Sequence, residues 1–363
     1  TTDFRSVKVP RAAEQKASIA LIKRKMNAKF PLTGVTVTFD AGSTITANAA
    51  DGVDALVVKN GGKLIMNGTA AQPIILTEPS ATPGAWGGII MYGDAPITGA
   101  PVNGVAVASK NSEDGLNLSY GGTNAAHNGG TLRYVRVEYA GKKITDGTSE
   151  MNGFSFYSVG SGTVLENLVS YKGADDGFEF YGGTVSAKNL ISYGNFDDSF
   201  DWQDGWKGEN NTNWYAYQVT TGNFGMEIEA SNNNNAFYPV VSNITLKRAA
   251  GTVTEGGSSA AEYDAIQFKK HGNGHFSNIV ISGYTTTGAT AVRIQDANAN
   301  TQVNEGKIKL TSVKINDNTT QFATVGTITV NFPTANYTLS SSATGASLTA
   351  GVWATVNGVN LIQ

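Results

Sequence analysis

Two short acidic stretches lie 22 residues apart near the middle of the chain, at Asp175–Glu179 and Asp197–Asp201. Both begin with an Asp-Asp pair and continue with a small residue, a phenylalanine and a further acidic residue. Their acidic residues are Asp175, Asp176, Glu179, Asp197, Asp198 and Asp201. If the stretches lie side by side in the fold, like charges about 5 Å apart repel each other, and something must compensate them.

Three kinds of chemistry fit such a cluster. Carboxylates on neighbouring segments supply the oxygen ligands that Ca²⁺ prefers, so all six residues are candidate calcium ligands. Clustered carboxylates with different pKa values can also act as acid and base on a glycosidic bond. The candidates for that catalytic role are Asp175, Asp176, Asp197, Asp198 and Asp201. The third interpretation is structural, because an aspartate in a turn accepts hydrogen bonds from backbone N–H groups.

The acidic stretches belong to a longer repeat that must position them. An apolar-x-apolar step recurs six times, and its first apolar positions are 24, 22, 26, 40 and 26 residues apart. The steps are Asn152–Phe156, Asp176–Phe180, Asp198–Trp202, Gly225–Glu229, Asp264–Phe268 and Thr290–Ile294. Because side chains alternate along a strand, the apolar residues of each step are expected to point inward and the residues between them outward.

A second register follows the first. An asparagine opens an apolar segment 11 to 17 residues after the step, at Asn167, Asn189, Asn213, Asn243 and Asn278. Asparagine side chains that are piled above one another can form a ladder of amide hydrogen bonds. The spacing therefore predicts that these five residues form one column, which requires the units to be stacked directly on each other.

Stacked units of two or three short strands predict an all-β fold, a right-handed parallel β-helix in which each coil pairs with the next. We expect an N-terminal segment, residues 1–31, with an amphipathic capping α-helix, and a β-helix over residues 32–363. Long loops are expected near residues 98–130, 207–224 and 248–263, and a C-terminal cap over about 320–363.

Composition excludes several classes of function. The chain has 363 residues, a net charge of −3 and no basic tract, so a nucleic-acid partner is not expected. It contains no cysteine, which excludes disulfides, thiolate metal sites and a cysteine nucleophile. No apolar run approaches about 20 residues, so we expect no membrane-spanning segment.

Several motifs together resemble a known family. They are WGGIIMYGDAPI, LRYVRVEYAG, DDGFEFYGGTVSAKNL and DDSFDWQDGWKG, within a similarity that covers roughly residues 32–300. This set is similar to a family of secreted or lipid-anchored surface proteins from Bacteroidetes. The resemblance implies a pectate-lyase-like right-handed β-helix at the outer-membrane surface of a bacterium or outside the cell.

Four aromatic residues lie close together after the second acidic stretch, and they are candidate ligand-binding residues: Trp202, Trp206, Trp214 and Tyr215. Aromatic faces beside amides and carboxylates suit sugar rings. In the alternative interpretation, Trp202 and Trp214 fill the core and only Trp206 is exposed.

These observations favour a binding or structural role at the cell envelope, with a polysaccharide or a surface protein as partner and with Ca²⁺ as the possible cofactor. The alternative is a polysaccharide lyase or glycoside hydrolase that uses the aspartate cluster. The order of an acidic pair, His271 and Arg293 resembles pectin-cleaving hydrolases, but coil counting places His271 some 10–15 Å from the aspartates. A second alternative is a self-assembling envelope protein or filament with end-to-end association.

Overall fold

The computed structural model describes residues 6–9, 34–48, 53–144, 149–234, 238–254, 262–324 and 330–363. The N-terminal capping helix that we expected within residues 1–31 lies outside the described residues. Residues 255–261, within the loop expected near 248–263, also lie outside them.

Two long parallel sheets carry the fold. Sheet A has 13 described strands: Ser6–Val9, Thr36–Phe39, Thr44–Thr46, Lys63–Asn67, Ile74–Thr77, Gly130–Glu138, Val164–Tyr171, Ala187–Tyr193, Asn211–Gln218, Val240–Arg248, Gly274–Ser282, Ile308–Ile315 and Tyr337–Leu339. Sheet B has nine: Leu56–Val58, Ile89–Tyr92, Phe154–Tyr157, Phe178–Tyr181, Phe200–Gln203, Met226–Ile228, Ile266–Phe268, Thr290–Ile294 and Thr320–Thr324.

From Gly130 onward, successive strands alternate between the two sheets, and each strand pairs in parallel with the strand one coil later. In sheet B, Phe154 pairs with Phe178, and Phe178 pairs with Phe200. Parallel strands joined by crossovers follow a right-handed path. The predicted right-handed parallel β-helix is therefore confirmed.

The asparagine column is confirmed as well. In sheet A the paired residues on either side of Asn167 and Asn189 match, so the two asparagines lie at the same level of neighbouring strands. All five asparagines of the column have φ between 56° and 60°, a left-handed conformation that asparagine tolerates better than most residues. The amide of Asn213 donates to Asn189 at 3.0 Å, and that of Asn278 donates to Asn243 at 2.6 Å. Between these two segments the ladder is interrupted, because Asn243 donates to Thr212 Oγ1 instead.

The interior is filled by columns of apolar residues from the repeat. The inward positions predicted from the six steps are all buried: Phe154, Phe156, Phe178, Phe180, Phe200, Trp202, Met226, Ile228, Ile266, Phe268, Val292 and Ile294. Aromatic rings stack from coil to coil, with centroids 4.9 Å apart for Phe154 and Phe178 and 5.1 Å apart for Phe156 and Phe180. The register of the repeat is thus fixed by the packing of identical ring types above each other.

One of the expected loops is a strand. Residues 207–224 contain the sheet A strand Asn211–Gln218, which pairs with the strands of both neighbouring coils. Asn213 takes the left-handed position of the column, and Trp214 points into the core. The polar composition of this segment suggested a loop, but the register of the column determines its structure.

The chain end differs from the expected cap. Thr320–Thr324 and Tyr337–Leu339 extend the two sheets, but residues 340–363 run back along the outer face of sheet A. Asn278 accepts hydrogen bonds from the N–H of Thr344, and Arg136, several coils earlier, donates to the carbonyl of Thr355. This C-terminal segment covers an apolar strip on the outer face of sheet A: Tyr139, Val169, Tyr171, Ile191, Tyr193 and Tyr215.

A second segment covers the outer face of sheet B near the N-terminal coils. It contains two short antiparallel hairpins, Gly99–Val102 with Val105–Val107 and Lys110–Asn111 with Ser119–Tyr120. Tyr120 from this segment packs against Tyr157 and Tyr181 of sheet B.

Within the described residues, the one α-helix is Ala297–Asn304, which begins at the N-cap Asp296. It was not predicted from the sequence. The N-cap aspartate, which accepts from the N–H of Ala299, is the signal that could have revealed it. Two 3₁₀ turns, Thr334–Asn336 and Val352–Ala354, and the hairpin of Thr355–Val356 with Val359–Asn360 lie near the C-terminus. No helix in the described part of the chain has the length and apolar character needed to cross a membrane.

Candidate functional site

The outer face of sheet B brings three acidic side chains into a row. Glu179 pairs with Asp201, and Asp201 pairs with Glu227 on the next coil. Each lies between two inward apolar residues of the repeated step, so strand alternation turns all three outward. Glu179 and Asp201 are nevertheless buried, because turns and loops rise around this face.

The Asp-Asp pairs form a second row, in the turns that lead into the same strands. The backbone N–H of Asp198 donates to Asp176 at 2.8 Å, and the N–H of Phe224 donates to Asp198 at 2.6 Å. One oxygen of each of these aspartates therefore has the turn-capping role of the structural interpretation. The same stacking places the two pairs beside each other, as the repeat predicts.

Both rows line one cavity of about 230 Å³. Its acidic lining consists of Glu150, Asp175, Asp176, Glu179, Asp197, Asp198, Asp201, Glu227 and Glu262. Lys269 is the one basic residue among the described residues that line it, and Asn152 and Asn223 contribute amides. We call this cavity the acidic pocket.

Crowding and burial shift the titration of these acids. Burial, followed by the charge of Glu113, raises the pKa of Glu179 to about 8. Burial and the charge of Asp198 raise the pKa of Asp176 well above its ordinary value. Burial and the charge of Glu179 do the same for the pKa of Asp201. The ionised carboxylates of the pocket therefore destabilise one another, and bound protons or cations reduce this repulsion.

The pKa values of Asp175 and Asp198 are raised for the same reasons. Burial, then the charge of Asp197, raises the pKa of both residues well above the usual range for aspartate. Glu179 accepts hydrogen bonds from the amides of Asn152 and Gln203 and from the hydroxyl of Tyr181, which fixes the position of its carboxylate.

The sequence did not single out Lys269, which lies at one end of the acidic pocket. Its ammonium is 2.6 Å from Glu227 and 3.7 Å from Glu229. Burial works against its charged form, but Glu227, Asp201 and Glu229 outweigh burial and raise the pKa of Lys269. Lys269 therefore acts as a cationic counterion for this end of the pocket.

Glu150, Glu262 and Asn223 were also missed. Asn223 occupies the turn position of Asp197 one coil later, so the repeat could have revealed it. Glu150 and Glu262 come from connecting segments that do not follow the repeat, so no sequence pattern indicated them. Glu227 was expected to point outward, and only its membership of the pocket was unforeseen.

The acids form groups with the spacing of metal ligands. Four sets of three carboxylates each have one oxygen per residue within 4.8 Å of the others. The sets are Glu150, Asp175 and Asp197; Asp176, Glu179 and Asp201; Asp176, Asp197 and Asp198; and Asp198, Asp201 and Glu227. In addition, the Oδ1 atom of Asp201 is buried without a hydrogen-bond donor. A buried carboxylate oxygen normally has a partner, so this atom can accept a hydrogen bond or coordinate a cation.

The proposed aromatic ligand-binding residues are placed differently from expectation. Trp202, Trp206, Trp214 and Tyr215 are at most 3% exposed. The three tryptophans pack against each other in the core, and Tyr215 lies under the C-terminal segment. They cannot stack on a sugar from solvent, because inward alternation and the covering segment bury their faces.

His271 does not line the acidic pocket. Its charged neighbours are Asp296, Glu305 and Lys307, in the region of the α-helix. Arg293 is paired with the buried Asp264. The structure therefore does not combine His271 and Arg293 with the aspartate pairs in one hydrolytic centre.

Comparison with known protein families adds one finding. The sequence profile described as a pectate-lyase-like beta helix domain matches residues 20–356. The chain belongs to this family. Comparison with curated proteins and with solved structures gave no significant match. Within this pectate-lyase-like β-helix, the acidic pocket on the outer face of sheet B is the strongest candidate site.

Proposed function

We propose that this pectate-lyase-like β-helix protein binds an acidic polysaccharide outside the cell through calcium held in its acidic pocket. The observation that carries the proposal is the accumulation of nine carboxylates around one lysine in a single cavity. Such a cavity repels an anionic sugar unless cations reverse its charge. A bound calcium ion supplies that charge and leaves coordination positions for ligand oxygens.

The donor set favours calcium. The pocket offers carboxylate and amide oxygens, and its lining includes no histidine among the described residues. Oxygen-rich sites of flexible geometry suit Ca²⁺, whereas Zn²⁺ prefers nitrogen and sulfur ligands. The unpartnered oxygen of Asp201 is a ready ligand for a hard cation.

Membership of the pectate-lyase-like family supports a carbohydrate as the ligand. A polyuronate is the class that fits, because its regularly spaced carboxylates can complete the coordination of calcium ions held on a rigid β-helix. A carboxylate-rich surface protein is a possible partner by the same chemistry.

An extracytoplasmic location fits this proposal. Extracellular calcium sites operate at dissociation constants of about 10⁻⁴–10⁻³ M, which match calcium levels outside cells rather than inside them. The resemblance to bacterial surface proteins supports the same location. We propose that the protein is secreted or attached to the outer surface.

The enzymatic alternative needs a base. Lys269 lies in the acidic pocket, but its pairing with Glu227 and the raised pKa keep it protonated at neutral pH. A lyase base must be neutral to accept a proton from the sugar ring. The charge on Lys269 favours binding over elimination as the role of the pocket.

The test is retention of the full chain on immobilised polyuronate. We expect binding to polygalacturonate or alginate in millimolar calcium, release by EDTA, and no retention on neutral dextran. Asp175→Asn should weaken binding by at least about tenfold, since removing support for a metal ligand set typically costs that much. Glu209→Gln, an exposed acid outside the pocket, is the matched control and should bind like the wild type.

Polyuronate retention that does not depend on calcium, or no retention on any polyuronate, contradicts the proposal. Absorbance of unsaturated sugars released in the same samples would instead support a lyase.

A further inference from the structure

We infer that the protein self-associates through a hairpin on its side, whose open strand edge pairs with the same edge of a second copy of the chain. The hairpin is that of Gly99–Val102 with Val105–Val107. We call it the apolar hairpin, because no residue from Gly99 to Val107 carries a charge. The inference goes beyond the proposed function, since it concerns a different surface and requires no cation.

The base of the apolar hairpin is fixed to the coils. The N–H of Thr98 donates to the carbonyl of Asp204 at 2.8 Å, and the amide of Asn233 donates to the carbonyl of Thr98 at 2.9 Å. In the hairpin that follows, Lys110 forms an ion pair with the buried Asp204 at 3.0 Å. The apolar hairpin therefore has a defined position on the side of the β-helix.

The strands of the apolar hairpin project into solvent. Val105 is 70% exposed and Val102 is 59% exposed, the two highest values among the large apolar residues that the structure describes. Within the described residues, no third strand pairs with this hairpin. A two-stranded hairpin is only marginally stable in water, and additional strands stabilise it.

The two edges of the apolar hairpin differ. Val102 and Val105 face each other across the two-residue turn of Asn103 and Gly104, which both have positive φ. Backbone groups alternate between the two edges of a strand, so the groups of the next residue on each strand point outward. On the first strand that residue is Pro101, which has no N–H to donate.

On the second strand the outward residue is Ala106, which has both an N–H and a carbonyl group. Natural sheets protect exposed edges with charges, prolines or bulges, and Pro101 protects the first edge in this way. The strand Val105–Val107 contains neither a charge nor a proline. Its exposed and unprotected edge indicates that another strand pairs with it.

A second copy of the chain is the partner that fits this edge. If Ala106 of one copy pairs with Ala106 of the other about a two-fold axis, Val105 of each copy lies opposite Val107 of the other. The two hairpins then form one four-stranded antiparallel sheet. Although the chain has a net charge of −3, this contact brings no like charges together.

Other partners fit less well. A charged partner finds no side chain for an ion pair on the apolar hairpin. Segments that bind lipid surfaces normally carry aromatic and basic residues, and the hairpin has neither.

The contact is small and lateral. Two edges of this length are expected to bury less than the roughly 1,200 Å² of a standard interface, so the dimer should be weak and should form at high protein concentration. Because the base of the hairpin contacts coils in the middle of the chain, this contact differs from the end-to-end association that the sequence suggested.

Sedimentation equilibrium of the full chain in EDTA, from about 10 µM to about 1 mM protein, tests the inference. We expect the average mass of the wild type to rise from that of one chain toward that of two. Ala106→Pro removes the N–H of the open edge and Val105→Lys adds a charge beside it, so both variants should stay monomeric. Val359→Ala, at an exposed valine of the C-terminal segment, is the control and should associate like the wild type.

Pro101→Ala tests the protected edge. This variant gives the apolar hairpin two open edges, so we expect it to form assemblies larger than a dimer at concentrations where the wild type stops at two chains.

Circular dichroism identifies any variant that fails to fold, and Val105→Lys decides the question if Ala106→Pro distorts the hairpin. A wild type that is monomeric over the whole range, or a folded Val105→Lys that associates like the wild type, overturns the inference. A monomeric wild type that co-sediments with phosphatidylcholine vesicles, with loss of this binding in Val105→Lys, would assign the hairpin to a lipid surface and would also overturn it. Because EDTA removes calcium, none of these outcomes affects the proposed calcium-dependent binding of polysaccharide.

Discussion

At the residue scale, the chemistry of a carboxylate in this protein depends on what neutralises it. Asp264 and Asp201 lie at different positions of the same repeat, one in a turn and one on the outer face of sheet B, and both are buried. Asp264 forms an ion pair with Arg293 and accepts the N–H of Thr290 at 2.7 Å. Asp201 has no donor for its Oδ1 atom and faces other acids. The repeat therefore determines where each carboxylate lies. Whether the carboxylate is structural or available to a ligand depends on the groups that neutralise it.

This contrast explains how far the sequence predicts the site. The six acids of the two stretches lie together because the repeat interval is the length of one coil. Glu150 and Glu262 reach the pocket through connecting segments whose paths no periodicity encodes. The tryptophans were misjudged because an aromatic residue that fills the core and one that faces solvent look alike in a Gly- and Asn-rich segment.

A pH dependence of stability follows from the raised pKa values. Burial and neighbouring charge raise the pKa of Glu179 from its ordinary value of 4.5 to about 8, so the folded protein binds this proton more tightly than the unfolded chain does. The contribution of Glu179 to the free energy of unfolding is fully present below about pH 4.5 and is lost as the pH rises toward 8. In EDTA, the melting temperature should fall between pH 5 and pH 8.

Millimolar calcium should largely remove this fall, because the cation takes the place of the protons. Melting followed by circular dichroism in both buffers measures the effect. A melting temperature in EDTA that rises over this range would show that the pocket acids are not the dominant titrating groups.

At the element scale, a coil consists of one strand in each sheet and a left-handed residue within the sheet A strand. Asparagine suits this position for two reasons: it tolerates positive φ, and its side-chain amide forms a hydrogen bond with the asparagine of the next coil. The sequence revealed the column through five asparagines in register. It did not reveal that Tyr134 and Ser312 take the equivalent left-handed positions in the flanking coils, since neither residue type marks such a conformation.

Asn189→Ala tests the double role of the column. Alanine loses the hydrogen bond with Asn213 and pays a left-handed penalty of about 1–2 kcal/mol, so we expect a total loss of roughly 2–3 kcal/mol. Asn189→Gly loses only the side-chain bonds and should cost roughly 1 kcal/mol. Urea unfolding of both variants measures the difference. Equal losses for alanine and glycine would mean that backbone strain at this position contributes nothing.

At the scale of the whole molecule, the two outer faces of the β-helix have separate covers. The C-terminal segment protects the tyrosine strip of sheet A, and the hairpins before residue 130 flank the acidic pocket on sheet B. The parallel β-helix was predictable because its repeat is local and regular. The path of residues 340–363 was not, because it depends on an apolar strip that exists only after the coils have stacked.

Trp353→Ala tests this separation. Trp353 is 2% exposed, packs edge-on against Tyr134 at 5.7 Å and anchors the C-terminal segment. Removing this side chain should lower the free energy of unfolding by about 3–5 kcal/mol and should make the C-terminal segment sensitive to thermolysin. The exposed Val359→Ala, on the same segment, is the control and should digest like the wild type. The stabilisation by calcium should be unchanged in Trp353→Ala, and a lost calcium response would argue against independent faces.

The central claim is that the acidic pocket binds calcium, and thermal melting at pH 7.5 tests it most directly. Wild type and Glu209→Gln should melt roughly 5 °C higher in millimolar calcium than in EDTA, as expected for saturating ligand. In Asp201→Asn this rise should shrink to less than half, while its melting temperature in EDTA should equal or exceed that of the wild type, because a repelling charge is gone. An equal calcium response in Asp201→Asn and wild type, or no response in either, would contradict the account.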